Sequence, residues 1–469
     1  TTTTGSAIPQ PTSTTSANYD FAVTSVFENQ SGSAASFDAN PVYGDYIYNN
    51  SSGNSAAKNL TINGNLSVLQ GTLGVCAGTT NTFTIAGNIS VSDGATFRGS
   101  SGTGTATINV TGNIGGAGTF AGSTGSSGTT IINIGGDITS QVNINIGTNT
   151  LTFTGGSSSV NFSPANSNPS VRGFTIASGK TVTLTNIITI PSLYIVTINN
   201  GGTFVTGTGY KNSGTLIVNG ILDCGTNAIS GSGAFTLSSG ATLKTANISG
   251  VNGSIAVTGT KTFDNAANYE FNGASAQVTG VLLPATVNNF TIDNAAGVKL
   301  SNSALTVSGN LTINDGKLFT IDAGKSLTVS GALANNASNA GLVIEDGGSL
   351  ITNGTVSGGA TVKRTFTGPA WHLMSAPVEN QAILTPYTDM YYWDEATYTW
   401  LNHNGGTFSD TYYKVGKGYL VSWAAGASQE FAGNLNTGDK ATGTGTGVSA
   451  IPAITYTSGQ GNGYNLIGN

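Results

Sequence analysis

A short pattern that recurs six times constrains the fold of this chain more than any other feature. In each copy a glycine is followed two positions later by Thr or Ser and then by an apolar residue. Glycine readily adopts the positive φ of a tight turn, and alternating apolar residues after it indicate a strand with one buried face. The pattern therefore predicts a repeated turn-strand unit, which is typical of a solenoid. The copies are VSDGATFRG, IASGKTVTL, INNGGTFVT, LSSGATLKT, IDAGKSLTV and IEDGGSLIT, with glycines at Gly94, Gly179, Gly201, Gly240, Gly324 and Gly347.

A second glycine series gives the period of the repeat. INGN, IAGN, VTGN and IGGD place glycines 23, 25 and 24 residues apart, and VSGN, VSGA and TNGT place three more 22 and 23 residues apart. This period predicts a parallel β-helix with one coil per repeat, and residues 59–359 have room for roughly 13 coils. The glycines of this series are Gly64, Gly87, Gly112 and Gly136, followed by Gly309, Gly331 and Gly354.

The composition favours a folded, β-rich chain over a disordered one. Of the 469 residues, 68 are glycine, 8% are charged and 38% are apolar, and the apolar residues are regularly spaced. The net charge is −6 without any cluster of Lys and Arg, so nucleic acid is not an expected partner. No apolar run approaches the ~20 residues of a membrane-spanning helix, and no membrane span is expected.

The two cysteines are expected to be free. Cys76 and Cys224 lie about six coils apart on the derived period, which is too far for a disulfide. We therefore interpret them as small buried apolar residues.

The chain divides into four predicted regions. Residues 1–16 form an extended or disordered N-terminal segment, and residues 17–58 break the repeat with several aromatic residues and are interpreted as an N-terminal cap. Such a cap would cover the open strand edge of the solenoid. Residues 59–359 form the parallel β-helix, and residues 360–469 form a β-sandwich-like C-terminal domain.

The C-terminal region differs sharply in composition from the repeats. Its short aromatic and β-branched runs, separated by turn residues, predict an antiparallel β-sandwich. Because a domain of this size needs large apolar side chains for its interior, we expect most of its tryptophans to be core residues. All four tryptophans of the chain lie in this region, at Trp371, Trp393, Trp400 and Trp423.

Several motifs of this region resemble a known group of proteins. ATVKRTF, WHLMSAPV, YYWDEATYTW, GKGYLV, FAGNLNTG and GYNLIGN look like recurring elements of large secreted proteins of Bacteroidota that the type IX secretion system exports. In that family a β-helical body precedes such a domain and a small sorting domain follows it. The resemblance implies export, a secreted or cell-surface location and the type IX machinery as a partner. Since the family pattern would continue past Asn469, we expect the C-terminal region to be truncated here, without the sorting domain.

An acidic column is the best candidate for chemistry or metal binding in the predicted solenoid. Asp322 and Glu345 are 23 residues apart in aligned frames, and Asp346 adjoins the latter. Parallel β-helices often carry polysaccharide lyases and hydrolases, which need paired carboxylates or a calcium site. The same residues also stand in the turn motif, where Asp forms hydrogen bonds with nearby backbone amides. The turn-forming role is favoured, with a structural calcium site and catalysis as alternatives.

Exposed aromatic residues are candidates for carbohydrate binding. Adjacent aromatics in a strand point to opposite faces, so Tyr391, Tyr412 and Tyr413 are the least core-like residues of the C-terminal region.

The sequence thus predicts a non-enzymatic secreted or cell-surface protein of structural or adhesin-like type. Its β-helix would be a rigid stalk for adhesion or display, with surface glycans or other extracellular surfaces as partners and no cofactor other than possible calcium. The alternatives are a polysaccharide-binding or polysaccharide-degrading β-helix protein and a self-associating subunit of an extracellular filament.

Overall fold

A computed structural model describes most of the chain after residue 23. The described residues are 24–30, 42–55, 59–123, 128–138, 143–145, 150–160, 173–185, 187–207, 209–424, 426–437, 454–458 and 463–466. The predicted N-terminal segment of residues 1–16 therefore lies outside the described residues, as does part of the predicted cap. By internal contacts the chain divides into two units, Thr1–Lys244 with Gly253–Asp264, and Thr245–Asn252 with Asn265–Asn469.

The elements before residue 265 are short strands and one short helix. The strands are β1 (Val26–Asn29), β2 (Val42–Tyr43), β3 (Asp45–Ser55), β4 (Leu60–Ile62), β5 (Leu66–Cys76), β6 (Asn81–Ile85), β7 (Ile89–Val91), β8 (Thr96–Ser100), β9 (Thr105–Val110), β10 (Ile114–Gly116), β11 (Thr119–Ala121), β12 (Thr129–Ile134), β13 (Asn143–Asn145), β14 (Thr150–Phe153), β15 (Ser157–Val160), β16 (Gly173–Ile176), β17 (Thr181–Leu184), β18 (Ile188–Ile190), β19 (Ile195–Ile198), β20 (Thr203–Val205), β21 (Tyr210–Asn212), β22 (Thr215–Val218), β23 (Ile221–Asp223), β24 (Ile229–Gly231), β25 (Ala234–Leu237), β26 (Thr242–Thr245), β27 (Ile255–Val257) and β28 (Lys261–Phe263). The helix is α1 (Val251–Ser254). Within the described residues, no helix has the length and apolar character to cross a bilayer.

The elements after residue 265 continue with short strands and end with longer ones. They are β29 (Asn268–Phe271), β30 (Gln277–Val278), β31 (Thr286–Val287), β32 (Phe290–Ile292), β33 (Val298–Lys299), β34 (Ala304–Val307), β35 (Leu311–Ile313), β36 (Phe319–Ile321), β37 (Ser326–Val329), β38 (Leu333–Asn335), β39 (Leu342–Ile344), β40 (Ser349–Thr352), β41 (Val356–Ser357), β42 (Gly359–Phe366), β43 (Ala370–Met374), β44 (Asp389–Asp394), β45 (Thr399–Asn402), β46 (Tyr419–Trp423) and β47 (Ala427–Asn434). A 3₁₀ turn, Asn339–Gly341, precedes β39.

The predicted parallel β-helix is confirmed. Across the described residues the chain is all-β and forms about 13 solenoid turns of roughly 22 residues each. In the first unit, β4 pairs in parallel with β6 and β5 with β7, so that Leu60 aligns with Phe83 and Leu66 with Ile89. In the second unit, β32, β35 and β38 pair in the same way. Each strand therefore bonds to its counterpart one turn away, as the repeat period predicts.

The interior of the turns is an apolar stack. Leu60, Ile62, Leu66 and Val68, whose alternation marks one face of the first clear repeat, are at most 1% exposed. Aromatic rings continue the stack from turn to turn, and in the second unit Phe290 lies 5.4 Å from one phenylalanine ring and 5.6 Å from the next. Both cysteines are free and buried within such turns, as expected. Burial of this repeated apolar face is the main stabilising contribution to a solenoid.

The two glycine series serve different physical purposes. The six glycines of the turn motif all have φ between 70° and 80°. At Gly94 an added Cβ would meet no atom within 4 Å, so this turn needs glycine for its backbone conformation. A Cβ added to Gly87 would instead lie 2.5 Å from the carbonyl oxygen of Gly64 in the preceding turn. Gly87 is therefore required because the backbones of successive turns approach closely.

An asparagine ladder follows these close-approach glycines. In the first unit the Asn65 Oδ1 accepts a hydrogen bond from the backbone N–H of Asn88 at 2.9 Å, and the Asn88 Oδ1 accepts one from Asn113 at 2.8 Å. The Asn113 Oδ1 in turn accepts one from Asp137 at 2.7 Å. Each side chain thus holds the corner of the following turn, which links the turns outside the strands.

The second unit repeats the ladder. The Asn268 Oδ1 accepts from the N–H of Asn289 at 3.1 Å, Asn289 accepts from Asn310, and Asn310 accepts from Ala332, the last two at 2.9 Å. The same device therefore recurs in both halves of the chain, although in the second unit only Asn310 directly follows a glycine of the period series.

The described part of the predicted cap joins the parallel pairing. Strand β1 pairs with β3, and β3 pairs with β5, so Tyr46 aligns with Leu66. Tyr43 and Tyr46 are buried, and their rings lie 4.9 and 5.5 Å from Phe27. These aromatic side chains fill the first turns.

Strand β42 connects the last solenoid turn to the C-terminal region. It pairs in parallel with β39, where Ile344 aligns with Val362, and in antiparallel fashion with β47 along its whole length. Strands β43, β46, β44 and β45 form a separate sheet, called here the antiparallel sheet. Its inner face packs on β42 and β47 through Phe366, Phe431 and Trp423. This two-layer arrangement supports the predicted sandwich in part.

We predict that Asn88→Ala will weaken the corner of one turn. The change removes the acceptor for the Asn113 N–H, and the net loss of such a bond costs about 1 kcal/mol. Hydrogen exchange at the Asn113 amide should accelerate about fivefold, whereas Ser90→Ala, an exposed change on β7 nearby, should leave it unaltered. Unchanged protection of Asn113 in Asn88→Ala would contradict a stabilising role for the ladder.

Candidate functional site

The antiparallel sheet has one buried face and one open face. Met390, Tyr419, Val421 and Trp423 point inward and are at most 2% exposed. The direct cross-strand partners on the opposite face are Trp393 with Trp400, Tyr391 with Asn402 and Leu420, Trp371 with Ser422, and Leu373 with Leu420. We call this set, together with Asp389, the aromatic face.

The rings of the aromatic face are close together without being stacked flat. The centroids of Trp393 and Trp400 are 5.4 Å apart, and those of Trp371 and Tyr391 are 5.5 Å apart, both with an edge-to-face tilt. Tyr398, in the turn between β44 and β45, lies 5.1 Å from Trp393. Such tilted pairs suit the quadrupoles of the rings and keep their orientation defined.

The expectation that most tryptophans build the interior was wrong. Only Trp423 does so, stacking 4.3 Å from Phe366. Trp371 is 50% and Trp400 is 44% exposed. The reason is that Phe366, Tyr413, Tyr419 and Phe431 already supply the large rings of the core. Strand alternation then leaves the other tryptophans on the aromatic face.

The three predicted carbohydrate-binding tyrosines do not lie together on one surface. Tyr391 belongs to the aromatic face, and Tyr412 is 40% exposed in the segment before β46. Tyr413 is fully buried in the core, where desolvation raises its pKa to about 12. Its burial contradicts an exposed role for this residue, because the alternation that exposes Tyr412 turns Tyr413 inward. Sequence reasoning missed Trp371, Trp393 and Trp400. The pairing of YYW with YTW across a turn signalled a common face for Trp393 and Trp400, but it gave no signal for Trp371.

The acidic column is present, but its carboxylates form ion pairs. Ile321 aligns with Ile344, so the following residues Asp322 and Glu345 do occupy adjacent turns, as the spacing predicted. Asp322 lies 3.4 Å from the Lys299 amine, Glu345 lies 3.0 Å from Lys363, and Asp346 lies 3.4 Å from the Arg364 guanidinium. Each carboxylate therefore faces a cation of a neighbouring turn.

These pairings fit a calcium ion poorly. Calcium takes six to eight oxygen ligands, and the described residues hold no group of three or more His, Cys, Asp or Glu side chains suited to a metal ion. The carboxylates instead neutralise Lys and Arg between turns.

We expect calcium to leave the stability of the protein unchanged. Thermal unfolding should give the same Tm in excess calcium and in a chelator, because the carboxylates of the described acidic column are paired with Lys and Arg. A calcium-dependent rise in Tm that Glu345→Gln abolishes, and that the exposed Asp93→Asn variant keeps, would instead establish the metal site.

A second charged cluster lies under the inner face of the antiparallel sheet. The Lys417 amine is 2.6 Å from Asp410 and 3.6 Å from the centre of the Tyr392 ring, and both charged side chains are about a tenth exposed. The Tyr419 hydroxyl donates a second hydrogen bond to Asp410 at 2.9 Å. Desolvation raises the pKa of Asp410, but the bonds from Lys417 and Tyr419 outweigh it and hold the pKa below its usual value.

The geometry of this cluster indicates that it stabilises the fold. His403 joins it by contacting the backbone oxygen of Asp410 through Nε2 at 2.9 Å, while its Nδ1 meets the Tyr387 hydroxyl at 2.6 Å. The network therefore anchors the segment that precedes β46 to the strands of the sheet. Its polar atoms are directed at one another and away from the aromatic face.

We predict that Asp410→Asn will destabilise the C-terminal region by about 3 kcal/mol at neutral pH, because it leaves the Lys417 charge buried without its partner. The folded pKa of Asp410 is depressed, so its stabilising contribution is complete above the unfolded pKa of about 3.9 and is lost as the pH falls through the folded value. The difference in unfolding free energy between wild type and variant should therefore shrink below pH ~4. A difference that stays constant down to pH ~2 would contradict this assignment. The double variant Asp410→Asn, Lys417→Met should recover much of the loss.

A groove of about 1090 Å³ borders the edge strand of the antiparallel sheet, within the second unit. Its lining includes Leu350 of β40, Arg364 of β42 and Trp371 of β43. His372 lies there too, with its ring 4.9 Å from Phe366 and its Nε2 3.2 Å from the backbone oxygen of Thr367.

Comparison with known proteins assigns no function to this site. Residues 254–469 match a family model described as "Domain of unknown function (DUF8693)". The matched range includes the later solenoid turns, β42 and the antiparallel sheet. No curated protein and no solved structure matches the chain.

Proposed function

We propose that this chain is a non-enzymatic, secreted or cell-surface protein of structural or adhesin-like type. In this proposal the solenoid turns are a stiff support, and the C-terminal antiparallel sheet is the surface that meets a partner. The observation that carries the proposal is the bracing of each unit. Within each unit parallel strands bond successive turns, and the asparagine ladder adds a second link at three corners of each unit.

The outward side chains of the turns support an extracellular role. They include rows of Thr and Asn, such as Thr84 beside Asn109 and Asn109 beside Asn133, whose side-chain amides bond at 2.8 Å. Neutral hydroxyl and amide groups hydrate such a surface without charged side chains. Its hydration therefore depends little on salt concentration.

Export by the type IX system is the second part of the proposal. Its support is the resemblance of the C-terminal motifs to secreted proteins of Bacteroidota. If it holds, protease treatment of intact producing cells should remove the protein, whereas a cytoplasmic marker enzyme should survive. Protection of the protein until the cells are lysed would contradict a surface location.

Polysaccharide binding is the alternative that a specific observation favours. The aromatic face holds three tryptophans and a tyrosine, of which Trp371 and Trp400 are 50% and 44% exposed, and such rings are suited to contact with sugar rings. Polysaccharide degradation has weaker support, because the acidic column is neutralised by Lys299, Lys363 and Arg364.

One assay separates these functions. The purified chain is incubated with soluble and insoluble polysaccharides, and bound protein and newly released reducing or unsaturated ends are measured together. We expect retention on a surface without product release. Released ends that disappear in Asp322→Asn or Glu345→Gln would overturn the non-enzymatic proposal. Sedimentation at rising protein concentration tests the filament alternative, and we expect no fibres.

A further inference from the structure

The aromatic face is open in the described part of the chain. Trp371, Leu373 and Trp400 are 50%, 67% and 44% exposed, and Tyr398 is 52% exposed beside them. An exposed apolar surface of this kind is costly in water and commonly marks an interaction site. Met390, Tyr419, Val421 and Trp423 on the inner face of the same sheet already belong to the buried core, so the outer tryptophans are not needed for it.

The rings of this face are held in place before any partner arrives. The Trp393 indole N–H donates a hydrogen bond to the backbone oxygen of Tyr464 at 2.6 Å, and this bond fixes the orientation of the Trp393 ring. Trp400 and Tyr398 pack edge-on against the same ring. The segment containing Tyr464 is itself anchored, because Glu395 accepts hydrogen bonds from the N–H groups of Thr457 at 2.7 Å and Gly463 at 3.1 Å. Prior ordering lowers the entropy cost of binding.

The polar groups among the rings identify the chemistry of the partner. The Asn402 side-chain amide donates a hydrogen bond to Asp389 at 2.7 Å. Ser422 lies on the same face and is the cross-strand partner of Asp389 on one side and of Trp371 on the other. These groups offer donors and acceptors on the same face of the sheet as the rings. The outward side chains of β43, β44, β45 and β46 include no Lys or Arg, so an anionic partner would find no countercharge.

We propose that the aromatic face binds a neutral polysaccharide, whose sugar rings stack on Trp371, Tyr391, Trp393 and Trp400. The C–H groups of a pyranose ring are weakly positive, and they contact the negative face of an aromatic ring favourably. The two pairs, Trp371 with Tyr391 and Trp393 with Trp400, give the face more than one place at which a unit of the same sugar chain can stack. Asp389, Asn402 and Ser422 supply hydrogen bonds to its hydroxyl groups. This inference rests on the adhesin-like function proposed above and names its partner class and its contact residues.

Substitution of the exposed rings tests the site directly. Binding of the full chain to neutral and to acidic polysaccharides is measured by retention on affinity gels and by the change in tryptophan fluorescence. Trp400→Ala and Trp371→Ala should each weaken binding to a neutral polysaccharide about tenfold or more, because central aromatic contacts carry most of the binding energy. Trp400→Phe should retain part of the affinity. Tyr412→Ala removes an exposed tyrosine outside the face and should bind like wild type, and unchanged thermal unfolding of every variant confirms their folding.

Each other outcome overturns a defined part of the proposal. If the Trp371→Ala, Trp400→Ala double variant binds as tightly as wild type, the aromatic face is not the binding site. That result would still be compatible with an adhesin that binds through another surface. Binding to acidic polysaccharides alone would overturn the neutral partner class. If light scattering detects dimers and the Trp400→Ala change dissociates them, the partner of the aromatic face is a second copy of the chain. Released sugar ends would contradict the non-enzymatic function itself, whichever variant binds.

Discussion

Close backbone contact between successive turns is the constraint on which each unit depends. At the Gly-Asn corners the chain of one turn runs so near the chain of the preceding turn that a single added carbon at Gly87 would lie 2.5 Å from a carbonyl oxygen. This closeness lets the Gly87 N–H donate to the Gly64 oxygen at 2.8 Å and brings the Asn65 side chain to the N–H of Asn88. The contacts at the corner therefore fix how each turn aligns with the preceding one. This alignment places the apolar side chains of successive turns next to one another.

Most of the solenoid could be predicted because its periodicity is visible in single residues. A position with positive φ and a position of close backbone approach each require glycine, so both recur as glycine in the sequence. Leu60 and Phe83 alternate with polar residues, as a half-buried strand requires. The role of asparagine in the ladder could not be predicted in the same way. An asparagine beside a glycine is equally compatible with a simple turn, and only the distance to the next turn distinguishes the two.

The candidate site was harder to predict, since exposure depends on what else fills the core. The same aromatic residue is buried at Trp423 and half-exposed at Trp371, and the sequence around them does not say which residue the interior can accommodate. The acidic column shows the opposite case. Its alignment followed from the period, but the cations that neutralise it come from Lys299, Lys363 and Arg364, whose reach depends on side-chain conformation.

Strand β42 gives the second unit an unusual kind of boundary. One edge of this strand is the last rung of the parallel stack, and its other edge pairs with β47 over eight residues. The C-terminal region thus begins inside a sheet, with no linker before it. A cut near residue 360 would remove the strand that covers the last solenoid turn and would leave one edge of β42 unpaired. The strand that ends the repeats is therefore also the part of the chain that leads directly into the antiparallel sheet.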